Sequence, residues 1–236
     1  MREIPPSIRK PSRYSGGEVR PPSIALDEAR VRVLLAFPDV YEIGMSHLGI
    51  LLLREILSAR PGTLCDRVFA PWTDYEEHLR AAGLPLASLE SGRPAGAFDL
   101  LGFSLCYELT YTNVLAMLDL SGIPILSKDR SEEHPLVVAG GVCTLNPAPV
   151  APFFDALLVG DGEEAVLEIV ALVEERKKEG GSRADLLSRL SRIEGVYVPG
   201  ISRRVARRVL ADLNRSPLLP APILPAMKRA VIGVPS

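Results

Sequence analysis

The sequence predicts an α/β fold in which helices cover both faces of a doubly wound, mostly parallel sheet of five strands. Two observations carry this prediction. Short apolar runs bounded by Gly, Pro or Asp are continuous rather than alternating, which is typical of strands buried on both faces. Longer stretches with helical spacing separate these runs, and such alternation favours parallel strands joined by right-handed crossovers. A sheet of five strands connected in this way is flavodoxin-like, a Rossmann-like arrangement.

The elements follow from the same pattern. The predicted strands are Val31–Phe37, Arg67–Ala70, Leu100–Leu105, Leu136–Ala139 and Ala156–Val159. Apolar stripes with a period near 3.6 residues predict three of the helices between and after these strands. The stripes contain Leu48, Leu51, Leu52, Ile56 and Leu57, then Val114, Met117, Leu118 and Ser121, and finally Ala165, Leu167, Ile169, Val170 and Val173.

Composition divides the chain into four segments. Residues 1–30 are rich in Pro, Arg, Ser and Gly and are expected to form an extended amino-terminal arm. Residues 31–178 form the α/β domain. Residues 179–212 predict a small α+β appendage, with a helix that starts at Ser182 or Asp185 and two short strands, Val196–Pro199 and Arg203–Leu210, paired as a hairpin. Residues 213–236 are a Pro-rich tail or linker.

The bulk properties exclude several classes of protein. The 236 residues carry 27 basic and 29 acidic side chains, a net charge of −2, which provides no general attraction for nucleic acid or an anionic membrane. The amino terminus lacks the apolar core of a signal peptide, and no apolar run reaches membrane-spanning length. Three widely spaced cysteines favour a reducing cytoplasm and are expected to be buried.

Loops at the carboxyl ends of parallel strands are where ligands bind in sheets of this kind, so these loops supply the candidate site. The candidate cofactor-binding residues are Asp39, Tyr41, Gly44, His47, Ser104, Tyr107, Gly140, Gly141, Gly160, Gly162 and Glu163. No catalytic triad, carboxylate pair or metal-ligand cluster stands out among them. The residues alone therefore predict an α/β module with a ligand-sized cleft, and no catalytic or metal-binding residue.

Many of the candidates also have a structural explanation, and packing in the core or at the rim is the equal alternative for Tyr41 and Tyr107. Gly140-Gly141 fits a tight turn, and His47 and Ser104 fit ordinary structural or helix-capping roles. The segment Gly160-Asp161-Gly162-Glu163-Glu164 lacks the Lys-Ser/Thr pair of a Walker loop and the third glycine of a dinucleotide fingerprint. Its carboxylates oppose phosphate binding, and capping of the following helix explains them equally well.

Four segments in order resemble one family. They are PDVYEIGMSHLG, RVFAPWTDYEEHLRAAGLPLASLES, DLLGFSLCYELTYTNVLAMLDLSGIP and LVVAGGVCTLNPAPVAPFFDALLVGDGEEAVLEIV. Together they resemble the amino-terminal part of radical S-adenosylmethionine (radical SAM) proteins that carry a cobalamin-binding-like domain. The resemblance runs from about Lys10 to about Asp212 and implies that the strand-end loops surround a corrinoid.

The chain departs from the family pattern in two ways. Asp39-x-Tyr41-x-x-Gly44 replaces Asp-x-His-x-x-Gly, the loop that places a histidine beneath cobalt, so cobalamin is expected without a histidine lower ligand because a neutral phenol is a poor donor. The cluster motif Cys-x-x-x-Cys-x-x-Cys is also absent. The 4Fe–4S cluster and S-adenosylmethionine are therefore expected only in a cluster-binding domain that is missing from a truncated chain or lies on another chain.

The resemblance gives a leading function and two alternatives. The leading hypothesis is an accessory cobalamin-binding-like domain of a radical SAM protein that performs no radical chemistry by itself. One alternative is a degenerate structural or docking domain that binds no cofactor. The other is a flavodoxin-like binder of a nucleotide or small phosphate.

Overall fold

The structure, a computed structural model, describes residues 4–15, 18, 24 and 28–216. The strands are β1 (Val31–Phe37), β2 (Thr63–Phe69), β3 (Leu100–Ser104), β4 (Leu136–Gly140), β5 (Ala156–Leu158) and β6 (Val196–Tyr197). Within this part of the chain they form one sheet in the order β2-β1-β3-β4-β5-β6. Strands β1 to β5 are parallel, and β6 pairs with β5 in the antiparallel direction. The predicted flavodoxin-like fold is confirmed, with one additional antiparallel strand.

Helices cover both faces of the sheet. They are α1 (Tyr41–Gly44), α2 (Leu48–Ala59), α3 (Thr73–Ala82), α4 (Tyr111–Leu120), α5 (Ala165–Glu179) and α6 (Arg183–Leu190). Helices α2, α5 and α6 pack on one face, and α3 and α4 pack on the other. None of the described helices has the length and apolar character needed to cross a membrane.

Strand β1, which lies between β2 and β3, shows why strands that are covered on both faces consist mainly of apolar residues. Val31, Val33 and Leu35 of β1 pack toward α2 and α5, while Leu34 and Ala36 pack toward α3 and α4. Successive side chains of a strand point to opposite faces, so a strand with two covered faces needs apolar residues at almost every position. Burial of each large side chain contributes about 1.5–3 kcal/mol.

The second strand begins earlier than its apolar pattern indicates. It spans Thr63–Phe69 rather than Arg67–Ala70, and it includes two buried charged residues that break the run, Asp66 and Arg67. Asp66 accepts a hydrogen bond from Ser88 at 2.8 Å, and Arg67 donates to Glu90 at 2.7 Å. Because these charges are paired with side chains distant in sequence, the apolar pattern could not reveal that their strand is buried.

The segment after α5 differs from the predicted appendage. Helix α6 begins as expected after Ser182, whose hydroxyl accepts a hydrogen bond from the Asp185 N–H at 3.1 Å. The predicted hairpin is absent from the described chain, because Val196–Tyr197 pairs with β5 instead. The segment Arg203–Leu210 is not a strand and joins the sheet through a single bridge to Gly160.

The described part of residues 1–30 packs against the domain rather than extending away from it. Ile8 and Arg13 are buried, and the Arg13 side chain donates to Glu42 of α1 at 2.8 Å. Of the predicted Pro-rich tail, Leu213–Arg215 forms a short 3₁₀ helix, and residues 217–236 lie outside the described residues. The division into four segments remains a prediction.

Candidate functional site

A cleft of about 280 Å³ opens at the carboxyl ends of the parallel strands, between the sheet and helices α2 and α5. Its walls are mainly apolar and include Val33, Leu35, Ile50, Leu53, Val138, Leu158, Val166 and Ile169. Among the described residues of the lining, the polar side chains lie near the strand ends and belong to His47, Ser104, Cys106, Asp161 and Glu163. An apolar slot with a few polar groups at its opening is the usual form of a small-molecule site.

Seven of the predicted residues line this cleft. They are His47, Ser104, Gly140, Gly141, Gly160, Gly162 and Glu163. Four do not, namely Asp39, Tyr41, Gly44 and Tyr107. A second cavity, of about 560 Å³, lies at the β2 edge beside the amino-terminal segment and is lined by none of the predicted residues.

The glycines at the strand ends play different roles. A Cβ added to Gly140 would meet no heavy atom within 4 Å, so the backbone here is open to the cleft. Gly141 has a φ of +104°, and a Cβ there would lie 2.5 Å from the Leu105 carbonyl oxygen. Gly160 has a φ of +114°, and its Cβ would lie 2.1 Å from the Arg208 carbonyl oxygen. Gly141 and Gly160 are therefore required by the backbone, whereas Gly140 leaves space for a ligand.

His47 and Cys106 form a pair beside the cleft. His47 caps α2, and its Nδ1 accepts a hydrogen bond from the Ile50 N–H at 3.4 Å. In the neutral imidazole this bond assigns the proton to Nε2, which then donates to the Cys106 sulfur at 3.1 Å. Burial lowers the pKa of His47 and raises the pKa of Cys106, so the pair is neutral near pH 7.

Sequence reasoning missed Cys106 as a cleft residue. Cys65 and Cys143 are buried as expected, but Cys106 is half-buried and lines the cleft. The one signal available was its position two residues after Ser104, at a strand end. Without knowing which way the loop turns, that signal does not separate Cys106 from its neighbour Tyr107.

Asp39 and Tyr107 lock two loops together instead of lining the cleft. The Tyr107 hydroxyl donates to the Asp39 carboxylate, which joins the loop after β1 to the loop after β3. Burial and this carboxylate raise the pKa of Tyr107 to about 12. Asn113 of α4 donates to the Pro38 carbonyl at 2.9 Å, so the β1 loop is held from a second side.

Tyr41 and Gly44 are packing residues. The Tyr41 side chain is buried, its ring meets Phe69 edge-on at 5.3 Å, and its hydroxyl donates to Glu18 at 2.8 Å. Burial, together with the charge of Glu18, raises the pKa of Tyr41 further above its ordinary value. A Cβ on Gly44 would lie 2.6 Å from the Phe69 ring. Tyr41 and Gly44 of the Asp-x-Tyr-x-x-Gly loop therefore face the protein interior. The phenol of Tyr41 is neutral and already donates its hydrogen bond to Glu18.

The loop after β5 holds several carboxylates, and most of them are paired. Asp161 accepts a hydrogen bond from the Leu210 N–H at 2.8 Å, and Arg208 donates to Glu168 at 2.6 Å and to Glu164 at 3.3 Å. Glu163 differs because it makes no hydrogen bond or ion pair with any residue in the described part of the chain. Its side chain is half-buried and lines the cleft.

Comparison with known families identifies the domain. The profile of the family described as radical SAM proteins, N-terminal, matches residues 49–199, more than half of the chain. The chain belongs to this family. The match covers β2 to β6 and most of the cleft lining of this radical SAM N-terminal domain, while β1 and the loop that contains Tyr41 precede it.

Solved structures provide a second comparison. Two structures of the radical S-adenosylmethionine methyltransferase TsrM from Kitasatospora setae are similar to the chain. The one with cobalamin and a 4Fe–4S cluster bound has a TM-score of 0.46 and 15% identity, and covers 78% of this chain and 30% of that one. The one with tryptophan and aza-SAM bound has a TM-score of 0.44 and 14% identity, and covers 71% and 28%. The chain thus spans less than a third of the TsrM chain.

No curated protein sequence gave a significant match to this radical SAM N-terminal domain.

Proposed function

We propose that this radical SAM N-terminal domain binds a corrinoid in the cleft and presents it to a cluster-binding radical SAM domain. One observation supports the proposal above the others. The cleft is an apolar slot at the carboxyl ends of β1, β3, β4 and β5, and the Gly140 backbone borders it without a side chain. Open parallel sheets bind their ligands at this edge, near the point where the strand order reverses.

The size and lining of the cleft fit part of a corrinoid. A volume of about 280 Å³ is at the lower end of the range for small-molecule sites, so it suits a flat heteroaromatic group rather than a whole corrin ring. The benzimidazole base of cobalamin is such a group, and its apolar faces would replace water against Val138, Leu158 and Ile169. The corrin ring would then remain outside the slot, above the strand-end loops.

The donor groups of the domain fit a corrinoid that takes no lower ligand from Tyr41. The phenol is protonated and bonded to Glu18, and its ring is fixed against Phe69. A bound corrinoid would supply the organometallic chemistry of its cobalt. The residues of this chain would hold its base, shield it from water, and offer hydrogen-bonding groups at Ser104 and Glu163.

Iron–sulfur chemistry is assigned to the partner domain in this proposal. In the described residues, no group of three or more His, Cys, Asp or Glu side chains could hold a metal ion. The 4Fe–4S cluster and S-adenosylmethionine would bind to the radical SAM domain that the family name implies.

Retention of a corrinoid tests the proposal directly. The purified protein is mixed with hydroxocobalamin and desalted, and the absorption spectrum of the protein fraction is recorded. We expect retained corrinoid with a shifted spectrum. The matched variant Gly140→Val fills the open side of the cleft and should fold normally but retain much less corrinoid. A wild-type protein that retains no corrinoid would refute corrinoid binding.

A docking role is the second candidate, and one surface supports it. Four large apolar side chains that follow β1, β3 and β4 are strongly exposed: Leu48 at the start of α2 (66%), Leu109 (88%), and Val142 and Leu145 (both 62%). Exposed apolar groups concentrated at one edge are typical of an interaction surface. We propose this edge as the surface that meets the cluster-binding domain.

Sedimentation of the isolated chain tests the docking surface. An uncovered apolar edge should cause concentration-dependent self-association, and the double variant Leu109→Ser/Leu145→Ser should reduce it. A wild-type chain that stays monomeric at every concentration would count against the surface.

A further inference from the structure

We propose that Glu163 determines the ligand specificity of the cleft, by accepting hydrogen bonds from amide or hydroxyl donors of the ligand and by opposing phosphate groups. This inference rests on the proposed function, because it names the chemical class that the same cleft selects. It does not need a cobalt ligand or a catalytic step.

The carboxylates of Asp161 and Glu164 have partners in the protein, whereas that of Glu163 has none among the described residues. Asp161 receives the Leu210 N–H at 2.8 Å and lies 3.8 Å from an Arg207 nitrogen. Glu164 is paired with Arg208 at 3.3 Å and does not line the cleft. Segment 207–210 thus satisfies the acids on both sides of Glu163 and leaves Glu163 without a partner among the described residues.

Glu163 lines the cleft, so a ligand bound there would meet a carboxylate that has no partner among the described residues. A half-buried carboxylate loses part of its hydration, and it recovers stabilisation only from donors that reach it. A ligand in the slot displaces the remaining water beside Glu163. The ligand must then supply a donor, or the complex bears the cost of an unsatisfied charge.

The charges around the cleft oppose an anionic ligand. Neither lysine nor arginine occurs among the described residues that line it, whereas Asp161 and Glu163 both do. The amino terminus of α5, which would otherwise attract a phosphate, is already next to Glu163, Glu164 and Glu168. The carboxylates of the protein itself therefore lie where the segment 160–164 would otherwise bind a phosphate.

A corrinoid matches these requirements. Its ring carries a border of primary amides, and its nucleotide carries ribose hydroxyl groups, all of which can donate to a carboxylate. A flavin mononucleotide presents a terminal phosphate instead. The two ligand types therefore differ in the property that Glu163 should sense.

The test compares the wild type with two variants, in each of which one carboxylate is replaced by an amide. Hydroxocobalamin affinity is measured for the wild type, Glu163→Gln and Glu164→Gln by equilibrium dialysis. Glu164→Gln is the matched control, since Glu164 is the next residue but is turned to Arg208. Loss of hydrogen bonds to a charged acceptor should weaken corrinoid binding of Glu163→Gln by roughly ten- to a hundredfold. The control should stay within about threefold of the wild type, as expected for a residue outside the cleft.

A second arm uses flavin mononucleotide and riboflavin, which differ only in the phosphate. Removal of the Glu163 charge should increase the affinity for flavin mononucleotide and leave that for riboflavin unchanged. Equal corrinoid binding by all three proteins would overturn the inference and leave the proposed function standing.

If no protein binds corrinoid, the proposed function fails and the flavin arm decides the inference. A gain of flavin mononucleotide binding confined to Glu163→Gln would support it. Equal flavin mononucleotide binding by wild type and variant, or none by either, would overturn it.

Discussion

Replacing Tyr41 with phenylalanine should lower the free energy of unfolding by about 2 kcal/mol without changing corrinoid retention. The change removes one hydrogen bond, 2.8 Å long, from a buried hydroxyl to the Glu18 carboxylate. Hydrogen bonds to charged groups contribute about 1.5–3 kcal/mol. The ring keeps its edge-on contact with Phe69, and Glu18 keeps its ion pair with Arg67. The cost should therefore stay below the ~3–5 kcal/mol expected when a buried charge loses its only partner.

Urea unfolding followed by circular dichroism measures this difference. An unchanged dependence of the unfolding free energy on urea concentration shows that both proteins expose the same surface when they unfold. The melting temperature should fall by about 4–8 °C in a chain of this size. Tyr197→Phe is the control, because Tyr197 is half-buried and its hydroxyl bonds to no described residue; it should cost less than about 0.5 kcal/mol. A Tyr41→Phe effect as small as the control, or a change in corrinoid retention, would refute the assignment of Tyr41 to the interior.

Three further predictions follow from strained and charged positions. Gly141→Val should destabilise the fold by more than about 2 kcal/mol in thermal denaturation, because its φ of +104° and the neighbouring carbonyl exclude a side chain; equal stability of Gly140→Val and Gly141→Val would contradict this. Burial alone would raise the pKa of Glu174, but hydrogen bonds from two arginines outweigh it and lower the pKa below 4.5. The resulting stability is present above pH 4.5 and is lost as the pH falls through the native value, so Glu174→Gln should flatten the loss of stability in acid. Burial lowers the pKa of His47 below 6.5, so the unfolded chain binds more protons below that pH, and stability should fall as the pH drops. His47→Gln should remove that component, and an NMR titration of His47 near 6.5 or above would show the reasoning to be wrong.

The fold was largely predictable because a strand that is buried on both faces appears in the sequence as a short run of mainly apolar residues. β1 was predicted at its observed bounds, and β3, β4 and β5 within one residue, because each consists mainly of apolar residues. The start of β2 was not predictable, because buried Asp66 and Arg67 depend on partners far away in the sequence. Helix α3 was missed because only Tyr75 and Leu79 of its residues are buried.

The position of the cleft was predictable from the sequence, but the side chains that line it were less so. The strand-end rule brought Ser104, Gly140 and Glu163 to one cleft, because parallel strands end at one edge. The rule gives no direction for a side chain on a loop. Tyr41 turns inward because Glu18, which is 23 residues earlier in the chain, supplies a buried acceptor for its hydroxyl.

The position of Tyr41 changes what a histidine at this site would mean. In the observed loop, an imidazole at position 41 would replace a phenol that bonds to Glu18 and packs on Phe69, on the side of the loop away from the cleft. A Tyr41→His substitution by itself would therefore place an imidazole beside the Glu18 carboxylate and not in the cleft. A histidine-ligated cobalt would require the loop to release Asp39 from Tyr107 and Gly44 from Phe69 as well. Because these contacts fix the loop as a unit, the inward position of residue 41 is a property of the whole loop and not of one residue.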